Sequence, residues 1–325
     1  MEKCRILLPY SCRSDTALTQ PIINRLEKEE WCDLTTIPLV PANYLESFKI
    51  IEKHISLCKY DLIYLTGDRV EMGAVAQCAF LNSLKIVHYG GGITNTIATF
   101  DDIIRHQISL VADIELCEDY NSATIVKNLW INIEKIKSED YYLRKLLMSG
   151  SCDFELREKG KELDKEYNIH IVGNLYLEDL PELDFSLCPS EPYDLILYNP
   201  PTILDFQLQK KDMLELYEIR KSIKNTVIFL DPNPDPKGLF LPVTFPNLER
   251  SKFLGLLSKC SRYITNSSSS VYEAPLYLKP EQIIRVGLRN SNRSSNFEEM
   301  KKYPNTANII IEIIKNWWFK RENEK

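Results

Sequence analysis

Histidine is scarce in this chain, with four in 325 residues, at His54, His88, His106 and His170. They lie far apart, so a multi-histidine metal centre is not expected and no metal is called for. Long apolar runs are missing too: none approaches the roughly 18 residues a membrane span needs. The opening Ile6, Leu7 and Leu8 are too brief for a secretory signal, and no small-residue cleavage site follows. These features predict a cytoplasmic protein without membrane association. A basic surplus is absent, since 40 Lys and Arg face 46 Asp and Glu for a formal net charge of −6. That balance argues against a surface built for duplex nucleic acid. The nine cysteines form no CxxC pair, which excludes a recognisable zinc site or disulfide framework. They read as free thiols in a reducing compartment, packed as small core residues. Repeats and low-complexity stretches are missing, and 44% hydrophobic with 26% charged residues excludes wholesale disorder.

What is present is rhythm. Short β-branched runs at Ile6–Pro9, Asp33–Val40, Asp61–Thr66, Leu84–Tyr89 and Asp113–Cys117 alternate with helical patterns such as Thr16–Glu30 and Tyr44–Cys58. The rhythm restarts at Asn168–Gly173 and runs through Asp194–Tyr198, Thr226–Leu230, Tyr263–Thr265 and Gln282–Gly287. A helix is expected from about Ser269 to Leu278, and an amphipathic one over Ile309–Trp318. A charged helical segment near 139–164 reads as a passage between domains. Strands of this length separated by helices mean βαβ units around parallel sheets. The prediction is an α/β protein with two Rossmann-like, doubly wound domains facing across a cleft. Residues 1–165 would form the first and 166–305 the second, with 306–325 as a terminal helix. Ligands in such sheets sit beyond the carboxyl ends of the strands.

The strand ends carry distinctive residues. After the first strand stands Ser11-Cys12-Arg13-Ser14-Asp15, where Asp15 or Ser14 could cap the next helix and Arg13 could hold a phosphate. Gly67-Asp68-Arg69 follows the third strand; an acid there is costly to bury without a partner or a task. His88-Tyr89-Gly90-Gly91-Gly92 follows the fourth, with glycines that permit close backbone approach but no GxGxxG. Asp101-Asp102-Ile103-Ile104-Arg105-His106 opens a helix; its acids suit the helix dipole, and Arg105 or His106 can share a face with one of them. Thr265 to Pro275 runs from a strand into four serines and then Glu273. Hydroxyls and free amides at such a turn suit an anion, and Glu273 could accept hydrogen bonds from ribose hydroxyls.

Together these motifs resemble the UDP-N-acetylglucosamine 2-epimerase family, in particular its hydrolysing branch of sialic and legionaminic acid synthesis. Ser11 to Asp15 matches that branch's GTRAD turn, Gly67-Asp68-Arg69-Val70-Glu71 its GDR-E, and His88 to Thr94 its HIHGGELT. Asp101 to His106 matches DDSIRH, Gly173-Asn174 a GN element after the second domain's first strand, Asp231-Pro232-Asn233-Pro234-Asp235 YPNSD, and Thr265 to Pro275 GNSSSGIIEAP. The order holds from residue 5 to about residue 290.

The resemblance implies the GT-B type of fold, a terminal helix packed back on the first domain, UDP mostly on the second domain and the sugar facing the first. It implies removal of the C2 proton of a UDP-sugar, departure of UDP and hydration of a 2-acetamidoglucal to a ManNAc-type sugar. Asp68 leads the acid–base candidates, followed by Asp101 or Asp102. Arg13, Arg69, Arg105, His106, Asn199, Asn233, Ser268, Ser269, Ser270 and Glu273 are the candidate substrate-binding residues. No cofactor is implied, and a homodimer is carried by family likeness alone. The chain departs from the pattern twice. The glutamate of HGGE is replaced by Gly92, Ile93 or Thr94, and the histidine of FHPVT falls on Asn199, which cannot carry a proton. Two alternatives follow, a GT-B glycosyltransferase and a non-catalytic nucleotide-sugar-binding homologue.

Overall fold

The computed structural model describes residues 2–95, 99–132, 167–199, 206–232, 244–245, 248–290 and 305–323. Its first sheet contains β1 (Cys4–Tyr10), β2 (Cys32–Pro38), β3 (Leu62–Thr66), β4 (Lys85–Tyr89), β5 (Ile114–Cys117) and β6 (Ile169–Ile171). They run parallel in the order β2-β1-β3-β4-β5-β6. Helices α1 (Arg13–Leu26), α2 (Tyr44–Leu57), α3 (Val70–Leu81) and α4 (Phe100–Val111) connect them, and α5 spans 120–132. The central strands are apolar almost throughout because both faces are covered. Ile6, Leu8, Leu62 and Tyr64 enter one core with Ile22 of α1, while Leu7, Ile63 and Leu65 enter another with Ile51 of α2 and Val75 of α3.

The second sheet holds β7 (Tyr193–Leu197), β8 (Thr226–Phe229), β9 (Arg262–Thr265) and β10 (Ile283–Arg285), parallel in the order β10-β9-β7-β8. Helices α6 (Phe206–Ser222) and α7 (Arg250–Lys259) flank it, followed by the single turn α8 (Ser269–Tyr272). The terminal helix, Thr306–Asn323, returns to the first sheet, where Ile310, Ile311, Ile314 and Trp318 are buried with Ile22 and Leu26 of α1. The architecture is therefore two Rossmann-like sheets of the GT-B type.

Three expectations change. Ile169–Ile171 does not open the second sheet: it pairs with β5, Glu115 opposite Ile169, and completes the first. The helix expected from Ser269 to Leu278 stops at Tyr272 and gives way to a 3₁₀ turn at Ala274–Leu276. Pro275 has no amide hydrogen to continue an α-helical ladder. Among the eight described cysteines, all free, Cys58 is exposed and Cys188 half-buried rather than in the core. The charged segment near 139–164 lies outside the described residues.

Each sheet has one point where the strand order reverses. In the first it lies between β1 and β3, whose carboxyl ends lead into Ser11 and Gly67-Asp68. In the second it lies between β7 and β9, leading into Asn199 and Ser267. Chains diverge at such points and leave a crevice.

Candidate active site

A single cavity collects both crevices. Asp15, Asp68, Arg69, Glu71, Asp101 and Arg105 line it from the first sheet; Asn199, Ser267, Ser268, Ser269, Glu273 and Arg289 line it from the second. Tyr89, Glu118, Tyr176 and Arg250 complete the polar wall.

Asp68 follows Gly67, whose positive φ of 78° turns the chain sharply after β3. Its carboxylate pairs with the guanidinium of Arg105, itself only 3% exposed. Arg105 also donates to the carbonyl of Ile93 at 2.5 Å and reaches Asp102 Oδ1 at 3.3 Å. One guanidinium thus contacts two carboxylates.

The adjacent acids of α4 part company. Asp102 caps the helix: Oδ2 accepts from the Thr99 amide at 3.1 Å and the Thr99 hydroxyl at 2.9 Å, while Oδ1 accepts from the Asn95 amide and side chain, each at 3.1 Å. These bonds turn Asp102 into the capping network and away from the cavity, a correction to its place among the acid–base candidates. Asp101 lines the cavity and pairs across it with Arg289 at 2.5 Å. His106 is half-buried and does not line the cavity; burial, with Arg105 beside it, lowers its pKa. It is not brought to the site with Asp68.

On the second wall, the Asn199 amide donates to Asn266 Oδ1 at 2.8 Å, and the Asn266 side chain donates back to the Asn199 carbonyl at 2.8 Å. This clasp ties the ends of β7 and β9. Ser268 and Ser269 line the cavity, with the Ser269 hydroxyl 2.7 Å from Tyr263 Oη. Ser270 is turned inward and donates to the Ser267 carbonyl at 2.8 Å, so Ser267 takes its place in the lining. Glu273 is paired with Arg250 at 3.3 Å. The side chain of Arg13 and all of Asn233 lie outside the described residues.

A second acidic group lines the same cavity as Asp68. Asp15, 4% exposed, is pushed up to about 6, first by burial; Arg69 and a hydrogen bond from Ser11 oppose the shift and Glu71 adds to it. Arg69 Nε donates to Glu71 Oε1 at 2.7 Å.

Residues 43–137 match the family model described as UDP-N-acetylglucosamine 2-epimerase. Over that segment the chain is similar to that family. It is 26% identical over 250 residues to a GDP/UDP-N,N'-diacetylbacillosamine 2-epimerase (hydrolyzing) of Campylobacter jejuni, covering 72% of this chain and 58% of that protein. Over 230 residues it is 34% identical to polysialic acid biosynthesis protein P7 of Escherichia coli, covering 66% of this chain and 52% of the other. The chain thus spans between half and three fifths of the length of these relatives. In fold it is similar to Staphylococcus aureus MnaA in a structure with UDP, with a TM-score of 0.65 at 12% identity over 97% of both chains. A Neisseria meningitidis UDP-GlcNAc 2-epimerase bound to UDP-GlcNAc gives a TM-score of 0.56 at 12% identity, over 96% of this chain and all of the other.

The glycine run has a packing role that its sequence does not announce. A Cβ at Gly91 would fall 1.9 Å from Glu115 Oε2, and one at Gly92 would fall 2.0 Å from the Ser122 carbonyl oxygen. Of the three glycines, Gly90 lines the cavity. The Glu115 side chain, fully buried, meets His88 Nδ1 at 2.9 Å, and His88 Nε2 meets the Gly67 carbonyl at 2.9 Å. The strand residue His88 therefore supports the turn that presents Asp68. Motif reading missed Glu118, Tyr176, Arg250 and Arg289. Glu118 accepts from Tyr89 at 3.2 Å and from Tyr272 at 2.9 Å, joining the walls, and Tyr176 stacks on Tyr272 with centroids 4.9 Å apart. Each becomes a site residue through tertiary contact alone.

Proposed function

We propose that this cavity binds a UDP-sugar and carries out hydrolysing 2-epimerisation, releasing UDP and a ManNAc-type sugar. The observation that carries the reading is the juxtaposition of an Arg105-paired Asp68 with the serine turn at Ser267, Ser268 and Ser269 in one cavity. Asp68 would remove the C2 proton, with Asp101 as the second carboxylate on that wall. The serine turn and Asn199 would hold the diphosphate by hydrogen bonds, and Glu273 would accept from the ribose. Arginines in a low-dielectric cleft would stabilise charge as the C1–oxygen bond breaks. The same reading divides the protein into a sugar side, on the first sheet, and a nucleotide side, on the second.

The relatives similar in sequence are 2-epimerases or a polysialic acid biosynthesis protein, which favours this chemistry over sugar transfer to an acceptor or binding without turnover. Among the described residues no helix is long and apolar enough to cross a membrane, and we place the protein in the cytoplasm, as a homodimer. Incubation with UDP-GlcNAc and with 4- or 6-substituted UDP-sugars, followed by NMR, tests the activity. Free UDP with a manno-configured sugar is the expected result. Unchanged substrates at high protein concentration contradict it.

A further inference from the structure

The hydroxyl oxygen of Ser11 lies 2.6 Å from Asp15 Oδ2 and 2.5 Å from Glu71 Oε1. A serine hydroxyl has one hydrogen to donate. It can satisfy one ionised carboxylate; against a second at this distance it would set lone pair against lone pair. One further proton must therefore reside on the pair. Glu71 already accepts from Arg69 Nε on Oε1 at 2.7 Å and from the Ala42 amide on Oε2 at 3.1 Å. Asp15 Oδ2 is met by the amides of Ser11 and Cys12 at the longer distance of 3.3 Å. The proton belongs on Asp15, which donates to Ser11, which donates to Glu71. The charged groups acting on Asp15 are Arg69 and Glu71, both from the turn and first helical residues after β3.

Asp15, Arg69 and Glu71 all line the cavity next to Asp68. Asn199, on the other wall of the cavity, has no titratable proton to give. We propose that Asp15, Ser11 and Glu71 share one proton at the cavity wall, and that Asp15 delivers it to the departing diphosphate. The delivery step rests on the function proposed above. In that step the C1–oxygen bond breaks and its electron pair goes to the diphosphate, whose oxygen takes the Asp15 proton. The C2–H electron pair becomes the C1–C2 π bond, and the C2 proton passes to Asp68. Asp15, now ionised, is reloaded from solvent after release and Asp68 returns its proton to solvent, while water adds its hydroxyl to C1 and a proton to C2. A general acid works best when its pKa lies near the working pH, and burial brings Asp15 to about 6.

Infrared spectra of protein carrying ¹³C-carboxyl aspartate, without substrate, test the stored proton directly. The wild-type protein should show a protonated carboxyl band that fades as pH rises and is absent from Asp15→Asn. In turnover, Asp15→Asn should lower kcat by about 10²–10⁴-fold, with KM little changed. Ser11→Gly breaks the hydrogen-bonded link between Asp15 and Glu71, so the band and the alkaline limb of the kcat profile should both shift in pH. If Asp15→Asn fails to fold, Ser11→Gly and Ser11→Ala carry the test. Absence of the band from about pH 5 to pH 8 overturns the shared proton. A band with wild-type kcat and pH profile in the variants overturns its delivery to the leaving group. A wild-type protein that turns over no UDP-sugar removes the functional reading and the delivery step with it, while the band still decides where the proton is held.

Discussion

Arg105 and Asp68 form an ion pair although 37 positions separate them in the chain, and the same guanidinium reaches Asp102 at 3.3 Å. One cation thereby ties the turn after β3 to the cap of α4. Its removal leaves two carboxylates without their shared partner. Arg105→Ala should lower kcat by about 10²-fold or more, while UDP affinity, read by calorimetry, changes much less. Arg105→Lys should recover only part of the loss, because a single ammonium cannot reproduce the planar fork.

The acids of α4 can be separated by readout. Asp102→Ala removes a capping-box partner and should lower stability by about 1–2 kcal/mol, visible in denaturant midpoints. Asp101→Asn weakens its pairing with Arg289 at the cavity. It should leave the midpoint within about 0.5 kcal/mol and alter turnover instead. An equal loss of stability in both variants would contradict this division.

Gly91→Ala should destabilise the protein by about 1–3 kcal/mol, since the new methyl meets Glu115 at 1.9 Å. Gly67→Ala meets no atom within 4 Å but must hold a φ of 78°, which costs about 1–2 kcal/mol. Thermal melts check the stability losses. Measured turnover should fall further in Gly67→Ala than its stability loss accounts for, because the strain falls beside Asp68.

Stability should depend on pH through Asp15. Its folded pKa, about 6, lies above the ordinary value of 3.8, so the folded state binds more protons than the unfolded state between those values. Stability from this group is fully present below the unfolded pKa and is lost as pH rises through about 6. Asp15→Asn should remove that loss, worth on the order of 1–3 kcal/mol. Denaturant curves for both proteins at about pH 4.5 and pH 7.5 make the comparison. A wild-type protein whose stability rises over that interval, relative to the variant, contradicts it.

Much of this architecture was legible from periodicity, because a parallel strand covered on both faces writes an apolar run and each crossover helix writes a period near 3.6. The strand-end positions of Asp68 and Ser268 followed from the same pattern, and that of Asn199 from the resemblance. The strand expected at Asn168–Gly173 was misplaced because so short a run carries no information about which neighbour it pairs with. Asp101 and Asp102 looked alike because helix starts favour acids for capping and for the dipole; only the folded loop at Asn95 and Thr99 distinguishes them. Arg289 and Glu118 belong to no local pattern, and tertiary contact alone brings them to the cavity.

Hydrogen exchange at C2 is the most direct test of the central claim, that Asp68 faces a UDP-sugar held by the serine turn and removes its C2 proton. UDP-GlcNAc and related UDP-sugars would be incubated in D₂O with the wild-type protein and with Asp68→Asn, and C2 deuterium followed by NMR. The account predicts deuterium at C2 of the product with the wild type and a loss of about 10²–10⁴-fold in Asp68→Asn, with UDP still bound. Tight UDP binding by the wild type without any C2 exchange, or equal exchange by the two proteins, would contradict it.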